Sequence, residues 1–309
     1  MNIRTVCVLG GTGFVGRHLV KALSAAGLQV KVFTRRVQRA RPLLVLPGVV
    51  LVETDYGNVT DLQHAFEGSD AIIHLVGIPD GHAKLQRRVH VDLPRTVVEA
   101  ARLARVQRLV YMSALHADAH GGASTFLRTK GAGEDLVHAM AEEVRVTSFR
   151  PAPIFGRGDA LLTPLAARIQ EHRRLLLANA GARLAPVYVM DVVERLVQAL
   201  FSPHRGGDRH DLCGPRTYTL GELAAYVAHT LNRPCRILPL PDALAAPRAW
   251  LTGHLPGGHT GLDRHRTLQV GAQCPAGDPC PTPLEAVVAD VLVPSDLQGR
   301  LQQLRSRPH

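Results

Sequence analysis

The chain is short of lysine, of aromatic rings and of long apolar runs. Among 309 residues, lysine occurs only at Lys21, Lys31, Lys84 and Lys130, and aromatic residues make up 4%. Arginine therefore carries most of a formal net charge of +10. Such an excess calls for an acidic partner, whether nucleic acid, an anionic membrane surface or a phosphorylated small molecule. The arginines are spread along the chain, and no helix-turn-helix or aromatic–basic platform accompanies them, which argues against nucleic acid. No apolar run approaches membrane-spanning length; the longest, Pro42–Val52, is broken at Pro47-Gly48. The start of the sequence runs directly into a strand pattern, so no secretory leader is expected. The five cysteines, Cys7, Cys213, Cys235, Cys274 and Cys280, are odd in number and scattered. That pattern predicts a reducing, cytoplasmic setting without a disulfide framework. Cys274 and Cys280 lack zinc-type spacing, so no metal is expected.

What remains is ordinary for a globular chain: 46% hydrophobic and 20% charged residues. Strand patterns fall at Thr5–Leu9, Gln29–Thr34, Val49–Glu53, Ala71–Leu75, Arg108–Met112 and Val144–Phe149. Helical patterns fall between them at Val15–Ala26, Leu62–Phe66, Val91–Ala104 and Gly131–Ala141. This alternation predicts an α/β fold, a doubly wound parallel sheet over residues 1–155. Residues 156–309 are expected to form a smaller α/β region that completes the sheet and caps the cleft. Asp191-Val-Val-Glu194 and Thr219-Leu-Gly-Glu222 read as capped helix starts. Lone Trp250 reads as a packing anchor.

The most informative stretch is Val6–Gly16, a buried strand, a glycine turn and a helix start. Gly11, Gly13 and Gly16 fit G-x-G-x-x-G, and Gly10, Gly13 and Gly16 fit G-x-x-G-x-x-G. Glycine permits the tight turn, the approach of backbone to a pyrophosphate and close helix–strand packing. The helix N-terminus then offers free N–H groups to phosphate. Gly10, Thr12, Gly13, Phe14, Val15 and Gly16 are accordingly read as dinucleotide-binding. In NAD-type sites an acid about twenty residues further on holds the ribose 2′-hydroxyl. Here the second strand ends in Arg35-Arg36, which suits a 2′-phosphate, so NADP(H) is expected over NAD(H). The alternative is that both are solvated loop charges. Asp55 is read either as an adenine contact or as a turn residue, and Leu75, Val76 and Gly77 as backbone near the cofactor ribose or as an ordinary strand-end turn.

Gly10–Gly16, His74-Leu-Val-Gly77, Tyr111-Met-Ser-Ala-Leu115, Phe126-Leu-Arg-Thr-Lys130, Arg150–Gly156 and Val187–Asp191 together resemble an extended or atypical short-chain dehydrogenase/reductase with a Rossmann fold. Within that group, Ser113–Asp118 leading into Phe126–Glu134, and Leu212–Glu222, resemble bacterial relatives of the dehydrogenase-like accessory subunit of respiratory complex I. The match covers most of residues 3–240. The resemblance implies a serine and a Tyr-x-x-x-Lys pair as catalytic residues. Ser113 and Lys130 fit two of these places, and Phe126 stands where the tyrosine would be. A phenyl ring has no ionisable proton and cannot act as acid or base. By the resemblance, Pro151, Pro153 and Ile154 border the nicotinamide, Lys130 holds its ribose and Phe126 forms a pocket wall. Tyr111 and Asp191 are read as a core residue and a helix cap. His74, His82, His90 and His116 are read as loop or surface residues, with His116 the one to test as a substitute proton donor.

The resulting expectation is an NADP(H)-binding protein with an incomplete catalytic centre. A structural or sensing role linked to a respiratory complex or to quinones follows from the resemblance, with the chain peripheral to the inner membrane or drawn to an anionic membrane surface. The alternative is an active NADPH-dependent reductase or epimerase-like enzyme on a small or isoprenoid carbonyl or quinone.

Overall fold

The computed structural model describes residues 3–140, 144–202, 206–241, 261–274 and 279–292. Trp250 lies outside them. Strands β1 (Thr5–Leu9), β2 (Gln29–Thr34), β3 (Val49–Glu53), β4 (Ala71–His74), β5 (Arg108–Met112), β6 (Arg145–Pro151) and β7 (Arg209–Leu212) form one sheet in the order β7-β6-β5-β4-β1-β2-β3. Every pairing in it is parallel. The order reverses between β1 and β4, so their C-terminal ends open the crevice where a doubly wound sheet takes its ligand.

Alternation along each strand sends side chains to both faces. Val6, Val8, Val30, Val32 and Ile73 pack with α1 (Phe14–Ala25) and α6 (Val189–Phe201) on one face. Cys7, Leu9, Phe33, Ile72 and Leu109 face α2 (Val59–Phe66), α3 (Leu93–Leu103) and α4 (Thr125–Ala139) on the other. A separate cluster joins α5 (Leu162–Glu171), α7 (Leu220–Thr230) and α9 (Leu284–Leu292), with Leu115 its only member before Ala152. Arg108, buried in the sheet, donates to the carbonyls of Ala199 and Ser202 and closes the C-terminal end of α6.

Three readings change. The last helix of the first half begins at Thr125, not Gly131, because Ser124 Oγ accepts the Leu127 N–H at 3.1 Å and caps it there. Its glycines signal close packing instead of a start: a Cβ at Gly133 would lie 1.8 Å from the His90 carbonyl oxygen and 2.9 Å from Tyr111 Oη. Asp191 is not a cap. It lies inside the first turn of α6, and its carboxylate accepts the Thr282 N–H at 3.0 Å and hydroxyl at 2.7 Å. Thr219 and Glu222 do form a capping box. Finally, Cys213 and Cys274 form a disulfide across 61 residues of sequence, where the scattered cysteines gave no expectation of a disulfide framework. The parallel bridge Leu184–Ala272 draws the later segment back beside Ala185, whose carbonyl accepts the Gly214 N–H at 3.0 Å, a proximity that spacing alone does not encode.

The α4 packing predicts that Gly133→Ala costs about 1–3 kcal/mol through overpacking. Gly181→Ala, into open space, is expected to stay within about 0.5 kcal/mol. Chemical denaturation midpoints of the two variants check this.

Candidate functional site

The glycine loop crosses from β1 to α1 at the sheet's reversal. Gly10 has φ +83°, and a Cβ there would meet the Leu75 carbonyl carbon and Val76 nitrogen at 3.1 Å. A Cβ on Gly16 would overlap the Gly10 carbonyl oxygen at 2.2 Å. The loop thus touches the β4 exit at backbone distance, with Leu75 N–H donating to the Leu9 carbonyl at 2.9 Å. Gly13 caps α1 with no side-chain bond, and no acid occupies the first turn. The helix therefore presents unclaimed N–H groups and its positive end, as a dinucleotide phosphate requires. These residues fit such a cofactor. Phe14 leaves the loop toward Gly156, where a Cβ would come within 3.2 Å of its ring. That contact sets the loop beside Ile154–Gly156, just beyond the β6 end at Pro151 and Pro153.

Arg35 and Arg36 are exposed just past β2. Arg35 also lies close enough to Tyr56 to oppose, by its charge, the burial that pushes that phenol up to about 12. Asp55 is exposed and its carboxylate accepts the Gly57 N–H at 3.1 Å, the geometry of an Asx turn.

Lys130 is buried on α4 and donates to the Met112 carbonyl at 2.7 Å. Its Nζ would lie 3.2 Å from a Cβ on Gly77, so the ammonium sits directly against the β4 exit. Burial lowers its pKa to about 8, partly offset by Glu134 one turn along the helix. Ser113 is also buried, but its hydroxyl donates to Glu134 Oε2 at 3.1 Å. Glu134 has no exposure and takes Arg150 Nε at 2.9 and 3.0 Å. Sequence reasoning missed this pair because neither residue belongs to the catalytic pattern; an acid four residues after Lys130, on the same helix face, was the available signal.

Phe126 is half-buried, packed with Ala114, Ala117 and Leu127 and edge-on to His90 at 5.6 Å. The N–H groups of Thr125 and Phe126 donate to the Asp263 carboxylate at 2.6 and 3.1 Å. Asp263 comes from α8 (Gly261–Gln269), far along the chain, so a C-terminal segment clasps the helix start beside the phenylalanine.

His74 and His90 are not surface residues. Both are buried, and burial, reinforced by Lys130, lowers each pKa to about 3. His90 Nε2 accepts the Ile78 N–H at 3.0 Å and Nδ1 meets Thr129 Oγ1 at 2.9 Å. A neutral ring with both nitrogens engaged is no replacement acid. His82 caps a short helical turn by accepting the Leu85 N–H, and His116 is exposed with φ 60°. Tyr111 is buried as expected, its pKa raised by burial and by Glu134. Among the described residues no group of three or more His, Cys, Asp or Glu could hold a metal.

Among the described residues, further clefts lie off the crevice. One of about 880 Å³ follows the β7 edge past Arg209, Asp211 and the Cys213–Cys274 pair, with no glycine-loop residue in its wall. One of about 390 Å³ lies between α5 and α8, its wall largely Leu161, Leu165, Leu177, Leu220 and Leu268 with Arg168 and Arg264.

Residues 6–221 match the NAD dependent epimerase/dehydratase family. The NADH-ubiquinone oxidoreductase 40 kDa subunit, mitochondrial, of Neurospora crassa is 30% identical over 251 residues, 79% of this chain and 65% of that protein. The chain thus spans less than two thirds of that relative's length. The ceramide reductase of Caulobacter vibrioides is 30% identical over 238 residues, 77% of this chain and 74% of that protein. The UDP-glucose 4-epimerase of Thermus thermophilus, solved in complex with NAD, shares the fold with TM-score 0.65 and 20% identity over 86% of this chain and 99% of that one.

The buried position of Lys130 makes stability depend on pH. Its folded pKa of about 8 lies below the ordinary 10.5, so the unfolded chain binds more protons between them. Stability from this group therefore rises as pH climbs from about 8 to about 10.5 and falls as pH drops through that window. Lys130→Met is expected to remove that slope relative to the unaltered chain, which denaturation at stepped pH will show.

Proposed function

The chain belongs to the NAD dependent epimerase/dehydratase family, and on that premise we propose that it holds NADP(H) as a resident ligand while lacking a complete dehydrogenase centre. Its role in this reading is accessory, structural or sensing, and tied to a respiratory complex or to quinone metabolism at the periphery of the inner membrane. Phe126, one helical turn before the buried Lys130, carries the proposal. The site keeps the ammonium that holds a nicotinamide ribose and lacks the phenol that exchanges a proton with substrate.

The cofactor supplies hydride-transfer capacity when bound. The residues named for it in this reading are Gly10, Thr12, Gly13, Phe14, Val15 and Gly16 at the pyrophosphate, and Arg35 and Arg36 at the 2′-phosphate. Asp55 lies toward the adenine, Leu75, Val76, Gly77 and Lys130 toward the ribose, and Pro151 and Ile154 toward the nicotinamide. Support for NADP(H) is the pair of exposed guanidiniums where an NAD site carries an acid. Support for the accessory role is likeness to a subunit of an NADH-ubiquinone oxidoreductase. Tight binding of a dinucleotide would stabilise the fold by mass action without turnover.

A second reading has its own support. Ser113 and Lys130 match two positions of the catalytic pattern, and Lys130 lies against the β4 exit. In that reading the chain is an NADPH-dependent reductase or epimerase-like enzyme whose proton comes from water or substrate.

Thermal-shift titration separates the claims. NADPH at about 100 times its Kd should add about 2.7 kcal/mol of stability, with NADH much weaker. Arg35→Glu with Arg36→Glu is expected to weaken NADPH about tenfold or more while leaving NADH unchanged. Equal affinity for the two cofactors in the unaltered chain contradicts the NADP(H) reading. Phe126→Tyr tests the chemistry: NADPH oxidation with a carbonyl or quinone panel only in the variant supports an accessory parent, and turnover by the unaltered chain supports the enzyme.

A further inference from the structure

The apolar run that ends at Val52 has no part in the cofactor site, yet its turn is firmly held. From Arg35 to Val52 there is no acidic residue, and arginine stands at positions 35, 36, 39 and 41. Leu44, Val45 and Val50 are 51%, 82% and 56% exposed. They are three of nine large hydrophobic side chains exposed among the described residues, gathered within seven positions.

This exposure does not come from loose packing. Leu43 and Val49 are buried in the sheet's core on either side. The Leu46 N–H bonds the Leu43 carbonyl at 3.1 Å and the Val49 N–H bonds the Leu46 carbonyl at 3.4 Å. Ser24 Oγ donates to the Pro47 carbonyl at 2.7 Å, and the Val30 N–H to the Gly48 carbonyl at 2.8 Å. The turn is thus fixed from both sides, with Val45 and Val50 flanking it and facing out. Among the described residues β3 is the edge of the sheet, paired only with β2. The turn lies at the N-terminal end of β3, and the glycine loop at the C-terminal ends of the strands, so this surface can be covered without closing the crevice.

We propose that the Arg41–Val50 edge docks on an anionic phospholipid surface. Leu44, Val45 and Val50 enter the boundary between headgroup and acyl chain, and Arg41 bonds lipid phosphate. Aliphatic tips beside an arginine, with the next acid in sequence, Glu53, at the opposite end of β3, are the chemistry of such a layer. A second copy fits poorly. Three side chains fall far short of the roughly 800 Å² per partner of a stable interface, and two arginine-rich edges repel. No described helix is long and apolar enough to cross a membrane, so this contact is peripheral. The proposal stands independently of the cofactor reading.

Co-sedimentation of the full chain with vesicles tests it. Phosphatidylcholine containing about 30% phosphatidylglycerol should pellet the chain at about 0.05 M salt and release it at about 0.5 M. Pure phosphatidylcholine should pellet little. Arg41→Gln, and separately Leu44→Ser with Val45→Ser, should each lower the bound fraction about fivefold or more, with melting temperature and NADPH binding unchanged. Val270→Ser, an exposed aliphatic elsewhere, should bind like the unaltered chain. No binding, equal binding to neutral vesicles, or unaltered binding by the variants overturns the proposal. So does light scattering in which the double variant abolishes self-association while vesicle binding is absent, which would assign the edge to a second copy.

Discussion

A carboxylate without access to water stands behind the crevice, and the helix that frames the site is arranged around it. Glu134 takes both its bonds to Arg150 from β6 and one from Ser113 at the end of β5. It therefore ties α4 to two strands of the sheet at the depth where Lys130 lies. A buried charge left unpaired costs about 3–5 kcal/mol, so this pair holds α4 in one place. The fit is so close that glycine is needed on two sides of the helix, Gly133 against the backbone at His90 and Gly131 against the backbone at Asp118. Lys130 gains its position and its lowered pKa from that same burial. Ser113 yields its hydroxyl to the network.

The proposed function rests on two parts of the site, the glycine loop with Lys130 and the surroundings of Phe126. The glycine loop, the β4 exit and Lys130 lie at backbone or near-backbone contact. Around Phe126 three polar side chains of the described residues are engaged or enclosed. His90 uses both ring nitrogens, Tyr111 is sealed in the core, and Asp263 is committed to the N–H groups of Thr125 and Phe126. Binding and chemistry are separable in such a site, and the proposed role follows from that separation.

The strands were legible because each is a short apolar run between turn signals. Five of the first six end within one residue of where periodicity puts them, and the sixth, β6, runs on two residues through Pro151. The glycine loop was legible because its demands are local. What stayed hidden depends on contacts distant in sequence. Asp191 looks like a cap from its neighbours, yet it serves Thr282. The Cys213–Cys274 pair needs the Leu184–Ala272 bridge to bring it together. His74 and His90 looked like surface residues because nothing local signals their burial. Asp263 reaches Phe126 across 137 positions. That Phe126 stands four residues before Lys130, by contrast, is plain from the sequence alone.

Native mass spectrometry of the purified full chain tests the central claim most directly, because it weighs what the crevice holds without asking for turnover. The account predicts one equivalent of NADP(H) retained per chain, lost when Gly13 and Gly16 are replaced by bulkier residues. A chain that carries NAD(H) instead, or that retains no dinucleotide after incubation with NADPH, would contradict it.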